Sequence, residues 1–275
     1  DSLGLKMLGY KIAKLKRNKI EDNSKVLLSL NNVSTFIQDP FSINLKNINF
    51  SLKTGQILGI AGVAGNGQNE LMEIFLNENN DNFNGDVIFK NQNINQLSTQ
   101  DRKRLSISYV TEQRLGHSAV PEMSLTENVL LSMSHNKKFI KNDLINFNEI
   151  SNHTDKIIKK FNVNAPSNSS KASQLSGGNL QKFIIGREIL SNPELLILSQ
   201  PTWGIDAGSE SFIRKTLLDL SLNGISIIII SHDIDELLEI CHDVCVLYEG
   251  RLSKNLNVEQ IDATQLGKYM GGLFD

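Results

Sequence analysis

A short apolar run at residues 57–61 runs into Gly62-Val63-Ala64-Gly65-Asn66-Gly67. No other feature of the 275 residues narrows the fold as much. After it, Leu71, Ile74 and Phe75 recur at i, i+3, i+4 spacing, so the segment reads as a buried strand, a tight turn and an amphipathic helix. Glycines at G-x-x-x-x-G spacing let backbone amides converge on phosphate oxygens at a helix N-terminus. A plain structural turn fits the same glycines. In a phosphate-binding loop the next two residues are Lys and Ser/Thr, but here they are Gln68 and Asn69. Gln supplies hydrogen bonds without positive charge, and Asn is a poorer substitute for the hydroxyl that binds Mg²⁺.

The rest of the chain supports an α/β fold. Residues 26–33 and 43–52 read as strands, and residues 87–89 and 91–94 as a hairpin after an Asn-rich loop. Residues 195–198, 225–230 and 244–248 read as buried strands with helices between them, and residues 115–170 as mostly helical and polar. This order predicts a largely parallel sheet covered by helices, with a helical insertion at about residues 113–188. At 40% hydrophobic and 21% charged, the chain can bury a core, which excludes global disorder. A net charge of −2 argues against a nucleic-acid binder relying on a broad basic surface. Two cysteines exclude a disulfide scaffold, and the apolar run at 225–230 is too short to span a bilayer.

A second motif decides between turn and phosphate site. Leu175-Ser176-Gly177-Gly178-Asn179-Leu180-Gln181-Lys182 precedes a stretch with Leu180, Phe183 and Ile184 on one face, and Ser176 can cap that helix. With this spacing after the glycine turn, the sequence from about residue 25 onward resembles the nucleotide-binding domains of ABC transporters, whose signature is LSGG. The resemblance continues through residues 195–200 at the Walker B strand and Trp203-Gly204-Ile205-Asp206 at the D-loop. It also covers Ser231-His232-Asp233 at the switch histidine and Glu112 at the Q-loop, where most relatives carry Gln. It is strongest to the second half of tandem importer ATPases of the sugar and nucleoside type. This implies a P-loop ABC ATPase core with a mostly parallel sheet, an antiparallel β subdomain and a helical insertion.

Two features suggest a preceding twin. Leu3-Gly4 with Met7 and Gly9 matches Leu266-Gly267 with Met270 and Gly272 at one constant offset, and the chain opens on Asp rather than Met. Residues 1–24 are therefore expected to be the tail of a homologous domain plus a linker, and residues 25–275 one nucleotide-binding domain. The basic stretch at 11–24 reads as a solvated connector, with a lipid-surface segment as the alternative.

The resemblance implies ATP and Mg²⁺ as ligands. Gly62, Gly65, Asn66, Gly67, Gln68 and Asn69 would lie at nucleotide, and Ser176, Gly177, Gly178, Asn179 and Gln181 would act in trans on the partner domain's ATP. Asp206 would line the same interface. Ser199 and Gln200 stand where Walker B ends in Asp-Glu, so the chain's own site is expected not to hydrolyse ATP despite His232. Its amide cradle remains, which leaves nucleotide occupancy open. The implied partners are a homologous first domain, membrane permease subunits and, indirectly, an extracellular solute-binding protein, with no nucleic acid. The implied location is the cytoplasmic face of the cell membrane. Rival readings are a soluble ABC ATPase outside transport and a structural domain that binds no nucleotide.

Other residues carry weaker signals. Trp203 is expected in core or interface packing, and Phe36 and Phe41 either stack on adenine or pack in the core. His117, His135 and His153 are expected to be exposed. Cys241, His242 and Cys245 have a metal-like spacing but lack an evident fourth ligand, so no metal site is assigned.

Overall fold

The computed structural model describes residues 17, 19–21, 24–77, 82–142 and 144–273. The N-terminal half of the internal repeat and most of the proposed linker lie outside the described residues. In chain order the first elements are β1 (Val26–Thr35), β2 (Ile48–Lys53), β3 (Ile57–Ala61), α1 (Gln68–Leu76), β4 (Phe83–Phe89), β5 (Gln92–Asn93), α2 (Thr99–Arg104) and β6 (Ile107–Val110). There follow α3 (Leu125–Ser132), β7 (Ile140–Lys141), β8 (Leu144–Ile145), α4 (Phe147–Lys160), α5 (Gly177–Ile189), β9 (Leu195–Ser199) and α6 (Ala207–Leu222). The last are β10 (Ser226–Ser231), α7 (Ile234–Ile240), β11 (Asp243–Tyr248), β12 (Arg251–Leu252), β13 (Leu256–Asn257) and α8 (Ala263–Met270).

These elements build an ABC ATPase fold. The central sheet runs β12-β11-β3-β10-β9-β6, with β13 also on β11, and its β11-β3-β10-β9-β6 portion is parallel. A second sheet, β2-β1-β4-β5, is antiparallel. Side chains alternate across a strand, so β10 divides its isoleucines between two cores. Ile227 and Ile229 pack with Phe183, Ile184 and Leu217 on one face, and Ile228 and Ile230 pack with Leu71, Phe75 and Leu28 on the other. Near-continuous apolar strands are what a parallel sheet covered on both faces requires. Among the described residues no helix is long and apolar enough to cross a membrane.

Two expectations need correction. Residues 43–47 do not join β2. Leu45 and Lys46 instead bridge elements, Leu45 exchanging bonds with Thr35 and the Lys46 amide donating to Gly250 O at 2.7 Å, and Asn47 turns at φ 54°. Residues 115–170 are helical only in α3 and α4. Between them β7 and β8 form a hairpin turned at Asn142, whose φ of 50° suits a short polar side chain.

The helices that frame the site start on side-chain caps. Ser176 Oγ accepts from the Asn179 amide at the start of α5, and Asp206 Oδ1 accepts from the Ser209 amide at the start of α6. α1 differs, because it begins on Gly67 in left-handed backbone (φ 115°) with no side-chain cap. Such an uncapped start leaves amides that need another acceptor.

Candidate functional site

The glycine turn sits where β3 delivers it, at the carboxyl edge of the parallel strands beside the ends of β9 and β10. That edge is where α/β sheets place their ligand sites. Within the turn the Gln68 side chain folds back. Its Oε1 accepts from the Asn66 amide at 3.1 Å, and its Nε2 donates to Val63 O at 2.9 Å. Asn66 adds a bond from Nδ2 to Val63 O at 2.8 Å, while its Oδ1 accepts from the Glu249 amide at 2.8 Å. The loop's polar groups are thus turned toward one another and toward the turn after β11.

Beside Asn69 opens a cleft of about 630 Å³, lined among others by Glu112, His117, Ser199 and Trp203. Ser199 closes β9 and is buried, and Gln200 follows it with left-handed backbone at φ 50°. The Gln200 amide donates to Ile230 O at 2.8 Å, which locks this unusual backbone to the neighbouring strand. At the two positions where the resemblance puts the Mg²⁺ ligands stand the neutral Asn69 and Ser199, no carboxylate ends β9, and the carboxylates of the cleft, Glu73 and Glu112, come from other elements. Mg²⁺ is held by one or two carboxylates plus phosphates, so these residues do not fit Mg·ATP.

The signature turn faces the other way. Ser176 and Gly177 are exposed, and Asn179 Nδ2 donates to Ser176 Oγ at 2.9 Å. Gly178 is buried against the start of α6, where a β-carbon on it would lie 2.8 Å from Asp206 Oδ2. Bonds from the Ser209 amide and hydroxyl hold the exposed Asp206 carboxyl below the usual range. Gln181 is a correction to the residues expected to act in trans. It is only 1% exposed, and its Nε2 donates to Pro201 O at 2.9 Å, so it ties α5 to the loop after β9 instead of facing outward.

Sequence reasoning missed Arg114. This half-buried guanidinium reaches between the signature turn and the D-loop and donates from Nη2 to Trp203 O. Its nearest signal was a lone arginine two residues after Glu112. Desolvation lowers its pKa from the ordinary arginine value.

Several aromatic and histidine expectations change. Trp203 is 59% exposed and meets the His232 ring edge-on, with centroids 4.5 Å apart, so it does not pack in the core. Phe36 and Phe41 are also exposed, which removes the core alternative for both. His117 is exposed as expected, but His135 and His153 are half-buried, with His153 edge-on to Phe139 at 5.3 Å. Cys241 is buried where α7 gives way to β11, His242 Nδ1 accepts from the Ile57 amide, and Cys245 Sγ donates to Asn255 Oδ1. These three side chains are engaged separately.

Comparison with known proteins bears on the family and the fold. The sequence pattern of the family described as ABC transporter matches residues 45–203. The chain is 34% identical over 271 residues to the ribose import ATP-binding protein RbsA of Clostridium tetani, covering 98% of this chain and 52% of that protein. It is 29% identical over 273 residues to the guanosine import ATP-binding protein NupO of Bacillus subtilis, covering 99% of this chain and 53% of that protein. The chain thus spans about half the length of these curated relatives. Among solved structures, a dimeric ATP-binding cassette bound to ADP and Pi superposes with a TM-score of 0.72 at 24% identity, covering 84% of this chain and 99% of that one. At that identity the likeness speaks for the fold alone.

Proposed function

Because the chain belongs to the ABC transporter family, matched over residues 45–203, we propose that it is an ATP-binding domain energising an importer of a sugar or nucleoside. The similarity to a ribose import and a guanosine import ATP-binding protein supports that substrate class. In this reading the domain pairs head to tail with a homologous nucleotide-binding domain. The pair docks on membrane permease subunits at the cytoplasmic face, and a solute-binding protein selects the cargo.

One contrast carries the proposal. The outward signature turn, Ser176-Gly177, is intact, whereas four positions of the chain's own Walker site (Gln68, Asn69, Ser199 and Gln200) have lost their charged or hydroxyl groups. Losing a general base costs on the order of 10²–10⁴ in rate. The missing phosphate-loop Lys also removes charge-assisted contacts of about 1.5–3 kcal/mol each. The division of labour is therefore asymmetric. This chain would lend Ser176 Oγ and the amide of the exposed Gly177 to the γ-phosphate of ATP held by the partner domain, with Asp206 bracing that turn. Binding of that ATP would draw the pair closed, and its hydrolysis would remove the γ-phosphate that bridges the two domains.

ATP turnover by the paired domains with Ser176→Arg in this chain tests the proposal. A loss of at least tenfold is expected, because the arginine would fill the space beside the γ-phosphate, and unchanged turnover would overturn the reading.

A further inference from the structure

We infer that the phosphate loop of this chain is shut by its own Gln68 and holds no nucleoside triphosphate, so that it serves as a fixed strut. The inference rests on the functional reading above for the identity of the loop, and it goes further: the site is closed to the ligand itself, beyond lacking catalysis.

The Gln68 carboxamide forms a chord across the loop. It takes the Asn66 amide at one end and reaches Val63 O at the other, with bonds of 3.1 and 2.9 Å. It also lies on the loop floor, where a β-carbon built on Gly62 would come within 2.4 Å of Gln68 Nε2. A lysine at this position could donate to Val63 O but could not accept from Asn66, so that amide would remain available to a phosphate oxygen. A carboxamide does both, and thereby removes an anion-binding amide from the cradle. Seating a phosphate would break both bonds.

The lining of the neighbouring cleft does not replace that loss, and the nearby Arg114 guanidinium is taken up by Trp203 O. Among the described residues, those lining the cleft beside Asn69 include Glu73 and Glu112 but no lysine or arginine. A triphosphate entering there would meet like charge with no partner for its own. The loop is also pinned from behind, because Asn66 O accepts from the Gly250 amide at 3.0 Å and Asn66 Oδ1 accepts from Glu249. These bonds tie β3 and α1 to the β11–β12 turn without any ligand.

Photolabelling of the chain with 8-azido-ATP and Mg²⁺, with and without excess ATP, tests the closure. The wild type is expected to incorporate no ATP-protected label, and Gln68→Lys ATP-protected label well above the level seen with excess ATP. Hydrogen exchange without nucleotide adds a second readout, in which the Asn66 amide is protected in wild type and at least tenfold faster in Gln68→Ala. ATP-protected labelling of the wild-type chain overturns the inference. So does a folded Gln68→Lys variant that stays unlabelled, because the block would then lie elsewhere. Should that variant fail to fold, exchange of wild-type Asn66 at its intrinsic rate overturns the inference and slow exchange supports it. None of these readouts depends on Ser176, so the two proposals can fail separately.

Discussion

Thr202 Oγ1 donates a 2.8 Å hydrogen bond to Oε1 of the fully buried Glu236, which fastens the loop after β9 to α7, the helix that follows His232. Burial raises the Glu236 pKa, outweighing the Thr202 and Ser231 hydroxyls and the charge of Arg214. The native state therefore keeps this proton at pH values where the unfolded chain, with a carboxyl near pKa 4.3, has released it. With more protons bound in the folded state, stability falls as pH rises above about 4.3 toward the native pKa. Glu236→Gln keeps an acceptor for Thr202 and removes the titration. Its urea midpoint should decline less than that of wild type from pH 5 to 9, and parallel profiles would refute the assignment.

Glu188 should show the opposite slope. It is buried beside Arg187, whose Nε lies 2.8 Å from Oε1, and it accepts from Ser132 Oγ at 2.7 Å. Burial alone would raise its pKa, but the charges of Lys103 and Arg187 and the Ser132 hydroxyl together bring it below the usual value. Its stabilisation is complete above the unfolded pKa and is lost as pH falls toward the native one. Glu188→Gln leaves Arg187 buried without its anion and should cost about 3 kcal/mol at pH 7. Its acid-unfolding limb should also be shallower than wild type. A loss below about 1 kcal/mol by urea denaturation would count against this account.

Arg102 holds the rear of the phosphate-loop helix. It is 0% exposed, and Nη1 donates to Ile74 O and Phe75 O at 2.7 Å each, while Nη2 donates to Ile94 O at 2.8 Å. Carbonyls in the last turn of α1 have no helical acceptor role to fill, so this fork satisfies them and joins α1 to the segment after β5. Arg102→Met strands these carbonyls and should lower stability by about 2–4 kcal/mol with an unchanged denaturant slope. Arg102→Lys should recover only part of the loss, because one ammonium cannot reproduce the planar fork.

Both thiols should be inert in the native protein. Cys241 and Cys245 are buried, and desolvation pushes Cys245 up to about 12 and raises Cys241 well above the ordinary thiol value. Thiolate is the reactive form. Reaction with a disulfide reagent at pH 8 should therefore follow the rate of global unfolding, and a fast phase in native buffer would contradict the burial.

The strand–turn–helix at residues 57–76 and the cap at Ser176 were legible because their signals are local: an apolar run, a glycine spacing, a hydroxyl before a helix. Failures came where the deciding partner is distant in sequence. Residues 43–47 carried apolar strand-like residues, but Gly250 claims the Lys46 amide. Gln181 belonged to a motif whose spacing says nothing about which members point inward, and Pro201 settled that. Of the two readings for Trp203, core or interface packing, its exposure against His232 removes only the core one.

The sequence by itself determined the α/β architecture, the identity of the two glycine motifs and the loss of charge at Gln68, Asn69, Ser199 and Gln200, since these depend on residue type and spacing along the chain. Only the tertiary structure decided what Gln68 does with its carboxamide. In the folded loop a neutral side chain that both donates and accepts satisfies Val63 O and the Asn66 amide at once.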